Sequence, residues 1–215
     1  DKVVADIGAG SGILSILAIK YGAKKVYAIE GNYNTIPLLK EMLSENGVYD
    51  KVKIINEIST NVKLPEKVDI IIHELIGTFA VNERGLECII KARDEMLKPG
   101  GKIFPNKLIL KFSLGKYMPI NKICDSILDY RVLKTDIIKN IYKKIFCREY
   151  HNYIYNIRDN LIHFDKIKSS DVIEHVIDLE NDEEDEIQNF KIKFDFKNSS
   201  ESNVLVSWFD VLYEG

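Results

Sequence analysis

The sequence predicts an α/β protein: a doubly wound parallel sheet comes first, and a β-rich, barrel-like domain with a helical insertion follows. Two observations predict the first part. Strand-like and helix-like stretches alternate over the first hundred residues, and a glycine-rich turn, G-A-G-S-G at 8–12, joins the first strand to the first helix. A third observation predicts the second part. The last apolar stretches, 172–179, 190–196 and 203–213, have no helices between them, as in an antiparallel sheet or barrel.

K-V-V-A-D-I (2–7) is a buried strand, and Ile13 to Lys20 continue as a helix that Gly22 stops. K-V-Y-A-I-E (25–30) is the second strand. Residues 34–46 are helical, with Ile36, Leu39 and Leu43 on one face and Gly47 as the stop. K-V-K-I-I (51–55) and K-V-D-I-I-I (67–72) are further short strands. Glu83 to Leu97 form a helix ended by Lys98-Pro99-Gly100-Gly101, and K-I-F (102–104) leads to Pro105, near which the seam between the parts falls. Beyond it, L-I-L-K-F-S-L (108–114) is a strand and residues 121–149 are mostly helical. V-I-E-H-V-I-D-L (172–179), F-K-I-K-F-D-F (190–196) and the run 203–213 are strands, the second alternating apolar and polar without a break. The acidic run 180–186 reads as a solvated loop, with a docking patch for basic substrates as the alternative.

Composition narrows the function classes. A chain of 215 residues, 46% hydrophobic, can bury one large core or two small ones. Its net charge of −3 gives no basic stripe, so no nucleic-acid partner is expected. Cys88, Cys124 and Cys147 are odd in number and widely spaced, which fits a reducing, cytoplasmic setting (nuclear as well in a eukaryote) and neither a disulfide framework nor a zinc site. No apolar run approaches the roughly 18 residues of a membrane span, so no membrane partner is expected. The chain begins inside its first strand, and we expect residues upstream of it, so targeting stays open.

The turn and its surroundings point to a cofactor. A strand-to-helix turn against which a ligand lies needs residues without Cβ or with positive φ, hence Gly8, Gly10 and Gly12. The dinucleotide fingerprint wants a third glycine one position later, where this chain has Ile13. Asp6 precedes the glycines, where a carboxylate repels a pyrophosphate but can hold a cationic amino-acid head. Glu30, at the end of the second strand, suits two ribose hydroxyls. These details favour S-adenosylmethionine over a dinucleotide; an ordinary capped βαβ turn is the bland alternative.

A second constellation follows the fourth strand, in H-E-L-I-G-T-F-A-V-N-E (73–83). Glu74 falls at the carboxyl edge of the sheet, where open α/β folds bind ligands. Glu83 follows nine positions later beside the helix-capping Asn82, and Gly77 lets the loop turn back. Two carboxylates beside a methyl donor can grip a planar guanidinium from two sides. Neither can deprotonate arginine beforehand, since a carboxyl near 4.3 and a guanidinium above 12 differ by roughly 8 units, or about 11 kcal/mol. The chemistry is then displacement at the methyl carbon, with the proton lost during or after transfer. The helix dipole alone also accounts for Glu83, and Arg84 and Glu87 can form an ordinary surface pair.

In these motifs the chain resembles the protein arginine methyltransferase family. D-K-V-V-A-D-I-G-A-G-S-G-I-L-S resembles its cofactor motif, V-Y-A-I-E its ribose-binding strand, H-E-L-I-G-T-F-A-V-N-E its double-Glu loop, L-K-P-G-G-K-I-F-P-N the approach to its barrel, and L-V-S-W-F-D-V a late barrel strand. The resemblance implies that Glu74 and Glu83 bind the substrate guanidinium, that Asp6 and Gly8 lie near the methionine part of S-adenosylmethionine, and that Glu30 meets the ribose. It sets Ser59 and Thr60 at the adenine edge, where the family often has an acid that Thr60 is not. It implies a protein or peptide substrate with an exposed arginine, and a homodimer through an arm at 121–149. The residue before the first Glu is usually small in the family and is His73 here. The family also has an upstream helix that closes over the cofactor and a downstream Thr-His-Trp loop; none of His151, His163 or His175 stands in that context. The expected domains are 1–105, binding the cofactor, and 106–215, shaping the substrate groove. The rival readings are a small-molecule amine methyltransferase, an inactive cofactor-binding dimeric scaffold and, more distantly, a nicotinamide oxidoreductase.

Overall fold

A computed structural model of the chain describes residues 1–77, 85–115, 172–183, 187, 190–194 and 204–213. Glu83 and the helical stretch expected at 121–149 lie outside the described residues.

The first sheet has five parallel strands in the order β3-β2-β1-β4-β5. β1 (Lys2–Ile7) and β2 (Ala23–Ile29) flank α1 (Ile13–Lys20), and α2 (Ile36–Glu45) leads to β3 (Val52–Ile55). β4 (Val68–His73), α3 (Gly85–Met96) and β5 (Leu97–Phe104) complete this part. The chain winds outward from β1 to β3, then returns to add β4 on the other side of β1. With right-handed crossovers, that reversal sends the following helix to the opposite face. On the α1–α2 face, Ile16, Ile19, Leu39 and Leu43 pack on Val4, Val26, Ala28 and Val52. Alternation along the strands turns Ala5, Ile7, Tyr27, Ile29, Ile71 and Ile103, all fully buried, to the other face.

β1 and α1 coincide with the expected segments. β5 departs from expectation. It starts at Leu97, although Lys98-Pro99-Gly100-Gly101 reads as a break. Pairing explains the difference: Val68 lies opposite Leu97 and Ile70 opposite Lys102, so residues 98–101 bulge out of the ladder, with Gly100 at φ 73°.

A second sheet, antiparallel, has the order β7-β6-β8, with β6 (Lys107–Gly115) between β7 (Ile173–Asp178) and β8 (Val204–Leu212). Lys111 on β6 pairs with Glu174 at 3.4 Å and Asp210 at 2.5 Å. The strand expected at 190–196 is not formed over 190–194, although exposure still alternates there, with the two lysines out. Contacts divide the chain into two compact units, the first made of Asp1–Lys111, Glu174–Ile192 and Trp208–Gly215, the second of Phe112–Ile173 and Lys193–Ser207. Among the described residues no helix is long and apolar enough to cross a membrane.

Candidate active site

Strand register gathers the candidate residues of the first unit at one edge. Ile7 lies opposite Ile29 on β2 and opposite His73 on β4. The residues that follow, Gly8, Glu30 and Glu74, therefore leave the sheet side by side at the point where the strand order reverses, the usual ligand crevice of such a sheet.

The three glycines of the turn all have positive φ, at 74°, 54° and 84°. They are needed for different reasons. A Cβ at Gly8 would lie 2.6 Å from Leu75 Cδ2, and one at Gly12 would collide with Leu39 Cδ1. Protein side chains, not only a ligand, claim those two spaces. Gly10 alone faces openness, its nearest neighbour being the Gly8 carbonyl oxygen at 3.9 Å.

Glu30 holds the turn in shape. Its Oε2 accepts from the Gly10 N–H at 2.7 Å and its Oε1 from the Asn32 N–H at 2.6 Å. A carboxylate offers about four acceptor sites, so each oxygen keeps one for a further donor. Beside it, Ile58 is half exposed and would touch a Cβ on Gly31 at 3.3 Å. Ser59 and Thr60 follow in a single 3-10 turn, with Ser59 buried and Thr60 half-buried.

Asp6 lies beneath the turn, fully buried. Its Oδ2 accepts from the Ser15 hydroxyl at 2.6 Å, while Oδ1 meets no donor among the described residues. Burial pushes its carboxyl up to about 6; hydrogen bonds from the Ser15 side chain and backbone oppose the shift, and the Glu30 charge adds to it. Sequence reasoning gave Ser15 and Ile58 no role. Ser15 is nine residues from Asp6, and only the fold brings them together.

Glu74 is exposed, so no burial cost bears on it. His73 before it is buried, its Nε2 3.1 Å from the Pro105 carbonyl oxygen and its Nδ1 without a donor among the described residues. With Nε2–H donating to that oxygen, the ring is neutral, and burial pushes its pKa down to about 4. It is a packed residue bracing β4 against the end of β5. A cavity of about 360 Å³ lined by Val4, Tyr21, Ile70, Ile72 and Phe104 lies elsewhere on the sheet and includes none of these groups.

Comparisons with known proteins bear on the family and the fold. A family model described as PRMT5 arginine-N-methyltransferase matches residues 1–103. Histone-arginine methyltransferase CARMER of Drosophila persimilis is 35% identical over 225 aligned residues, which take in 100% of this chain and 40% of the relative; the Drosophila ananassae protein is 36% identical over the same shares. The chain thus spans about 40% of the length of these relatives. Among solved structures, Arabidopsis thaliana protein arginine methyltransferase 10 superposes with a TM-score of 0.69 at 25% identity, covering 98% of this chain and 64% of that one. A Trypanosoma brucei PRMT1 enzyme-prozyme complex with AdoHcy gives 0.65 at 27% identity, covering 87% and 56%. The family model, the curated relatives and the solved structures together support a likeness to the protein arginine methyltransferase family of class I S-adenosylmethionine-dependent methyltransferases.

Proposed function

We propose that the chain carries the catalytic core of an S-adenosylmethionine-dependent protein arginine N-methyltransferase. The observation behind this reading is the convergence of Gly8, Glu30 and Glu74 at the reversal of strand order. The residues present suit the cofactor: a buried carboxylate oxygen on Asp6, without a donor among the described residues, complements a cationic head, and Glu30 keeps acceptor capacity for two hydroxyls. Bound there, S-adenosylmethionine supplies an electrophilic methyl group. In this proposal Asp6, Gly8, Gly10, Gly12 and Glu30 hold the amino-acid and ribose parts, and Ser59 and Thr60 meet the adenine edge.

Glu74 and Glu83 hold the substrate guanidinium by paired charge-assisted hydrogen bonds and turn one terminal nitrogen toward the donor. Much of the acceleration then comes from alignment and preorganised charge. The arginine proton leaves during or after transfer. Residues 1–105 serve as the cofactor part and 106–215 as the substrate part, in a homodimer through the arm at 121–149.

The test is transfer of labelled methyl by the full-length protein to arginine-rich polypeptides and to small amines. Arginine-rich acceptors are expected to be labelled. Labelling of amines alone points to a small-molecule enzyme, and cofactor binding without transfer to a scaffold. Glu74→Gln is expected to leave cofactor affinity by calorimetry nearly unchanged, while transfer falls by about two to three orders of magnitude. Equal transfer by variant and parent removes the guanidinium role.

A further inference from the structure

Leu75, the residue after Glu74, fits between two glycines that are distant in sequence. On one side its isobutyl group covers the bare α-carbon of Gly8: a Cβ there would lie 2.6 Å from Leu75 Cδ2, 3.2 Å from Cγ and 3.6 Å from Cδ1. On the other side the first residue of α3, the buried Gly85, backs onto the Leu75 main chain. A Cβ on Gly85 would collide with the Leu75 carbonyl oxygen and lie 2.8 Å from its Cβ. Gly85 is not at positive φ, so close approach is what demands a glycine there. Leu75, in the chain leading out of β4, therefore touches the glycine turn and the start of α3, two residues downstream of Glu83.

We infer that Leu75 is a positioning residue for methyl transfer: wedged between Gly8 and Gly85, it sets the distance from the Glu74 carboxylate to the glycine turn. The inference rests on the proposed role of Glu74. Leu75 itself touches neither substrate nor reacting atoms in this role. Its side chain is keyed to Gly8 and its backbone to Gly85, so Glu74, covalently attached, moves with it. A shift of about 1 Å at a reacting pair costs on the order of a hundredfold in rate.

Steady-state kinetics of Leu75→Ala in the full-length protein test this, with Leu75→Met as the volume-conserving control. Expected are a fall in kcat of about a hundredfold for Leu75→Ala, recovery to within about threefold for Leu75→Met, and cofactor affinity by calorimetry within about threefold of the parent for both. The decisive readout is a double-mutant cycle with Glu74→Gln, in single turnover with labelled cofactor. If Leu75 acts through Glu74, Leu75→Ala costs little more once the carboxylate is gone. If it only supports the fold, it costs the same in both backgrounds, and the inference is overturned. Parent-like kcat for Leu75→Ala also overturns it. Should Leu75→Ala fail to bind cofactor, the same cycle is run with Leu75→Val, and the same outcomes decide. Parent-like transfer by Glu74→Gln instead overturns the guanidinium reading, so the two failures are separable.

Discussion

Asp6 and His73 are two buried ionisable side chains whose pKa values move in opposite directions for the same reason, loss of water. His73 stays neutral in the folded chain down to about 4, against an ordinary 6.5. The unfolded chain therefore takes up a proton that the folded one refuses, and stability is lost as pH falls from about 6.5 to about 4. Asp6, at about 6 against 3.8, keeps a proton that the unfolded chain releases, so its stability contribution is present below 3.8 and lost as pH rises through 6. Each effect is on the order of 3 kcal/mol, and the two nearly cancel between pH 4 and 6. His73→Asn keeps a donor for the Pro105 carbonyl and removes one of them. Relative to the parent, the variant should gain about 3 kcal/mol between pH 7 and pH 4 in urea unfolding. Asp6→Asn should move the other way, gaining on the parent as pH rises. Curves parallel to the parent in both variants would mean that neither ring nor carboxyl is held as described.

Among the elements, α1 shows how far local pattern reaches. Its bounds follow from glycine punctuation at 12 and 22, which any reader of the sequence sees. The reason Gly12 is indispensable does not: Leu39 of α2 fills the space that a Cβ would need. A Cβ added at Gly47, whose φ is 67°, would meet nothing within 4 Å among the described residues. Gly47→Ala should therefore cost only the left-handed backbone, about 1–2 kcal/mol. Gly12→Ala should add about 1–3 kcal/mol of overpacking to that. Thermal unfolding of the pair checks this, and equal losses would show that α2 yields freely. The same limit runs through the site. Glu30 and the turn were legible because strand ends and glycines mark themselves. Leu75, Ser15 and Ile58 were not, because each matters through a neighbour that only the fold supplies. The run 190–196 has the period of a strand, yet over 190–194 it joins no ladder. Periodicity records which side is wet, not whether a partner strand is there.

At the scale of the molecule, late stretches of chain complete the first unit. The Asn106 carbonyl accepts from the Leu179 N–H at 2.8 Å, and the Asn106 N–H donates to the Leu212 carbonyl at 3.2 Å. The acidic run expected to be a solvated loop contributes here: Glu180 accepts from the Ile103 N–H at 3.3 Å. Arg93 on α3 ties the same stretch down, donating to the carbonyls of Leu179 at 3.3 Å and Asp182 at 2.7 Å, 86 and 89 residues away. Such pairs lie beyond any local pattern, and an arginine in a helix's last turn reads as a dipole partner. Arg93→Ala removes both donors and strands two carbonyls, an expected loss of about 2–4 kcal/mol. Lysine would not restore it, since an ammonium on a flexible stem lacks the planar fork that spans two carbonyls. Hydrogen exchange locates the effect. The Leu179 amide should lose protection beyond the global loss, because only the Asn106 carbonyl and the Glu180 carboxylate, of the ties named here, then retain the segment, while the amides of Ala5 and Ile71 in the central strands should follow global stability. Protection at Leu179 that only tracks those strands would mean that the late segment and the parallel sheet open as one cooperative body, with Arg93 dispensable to their union.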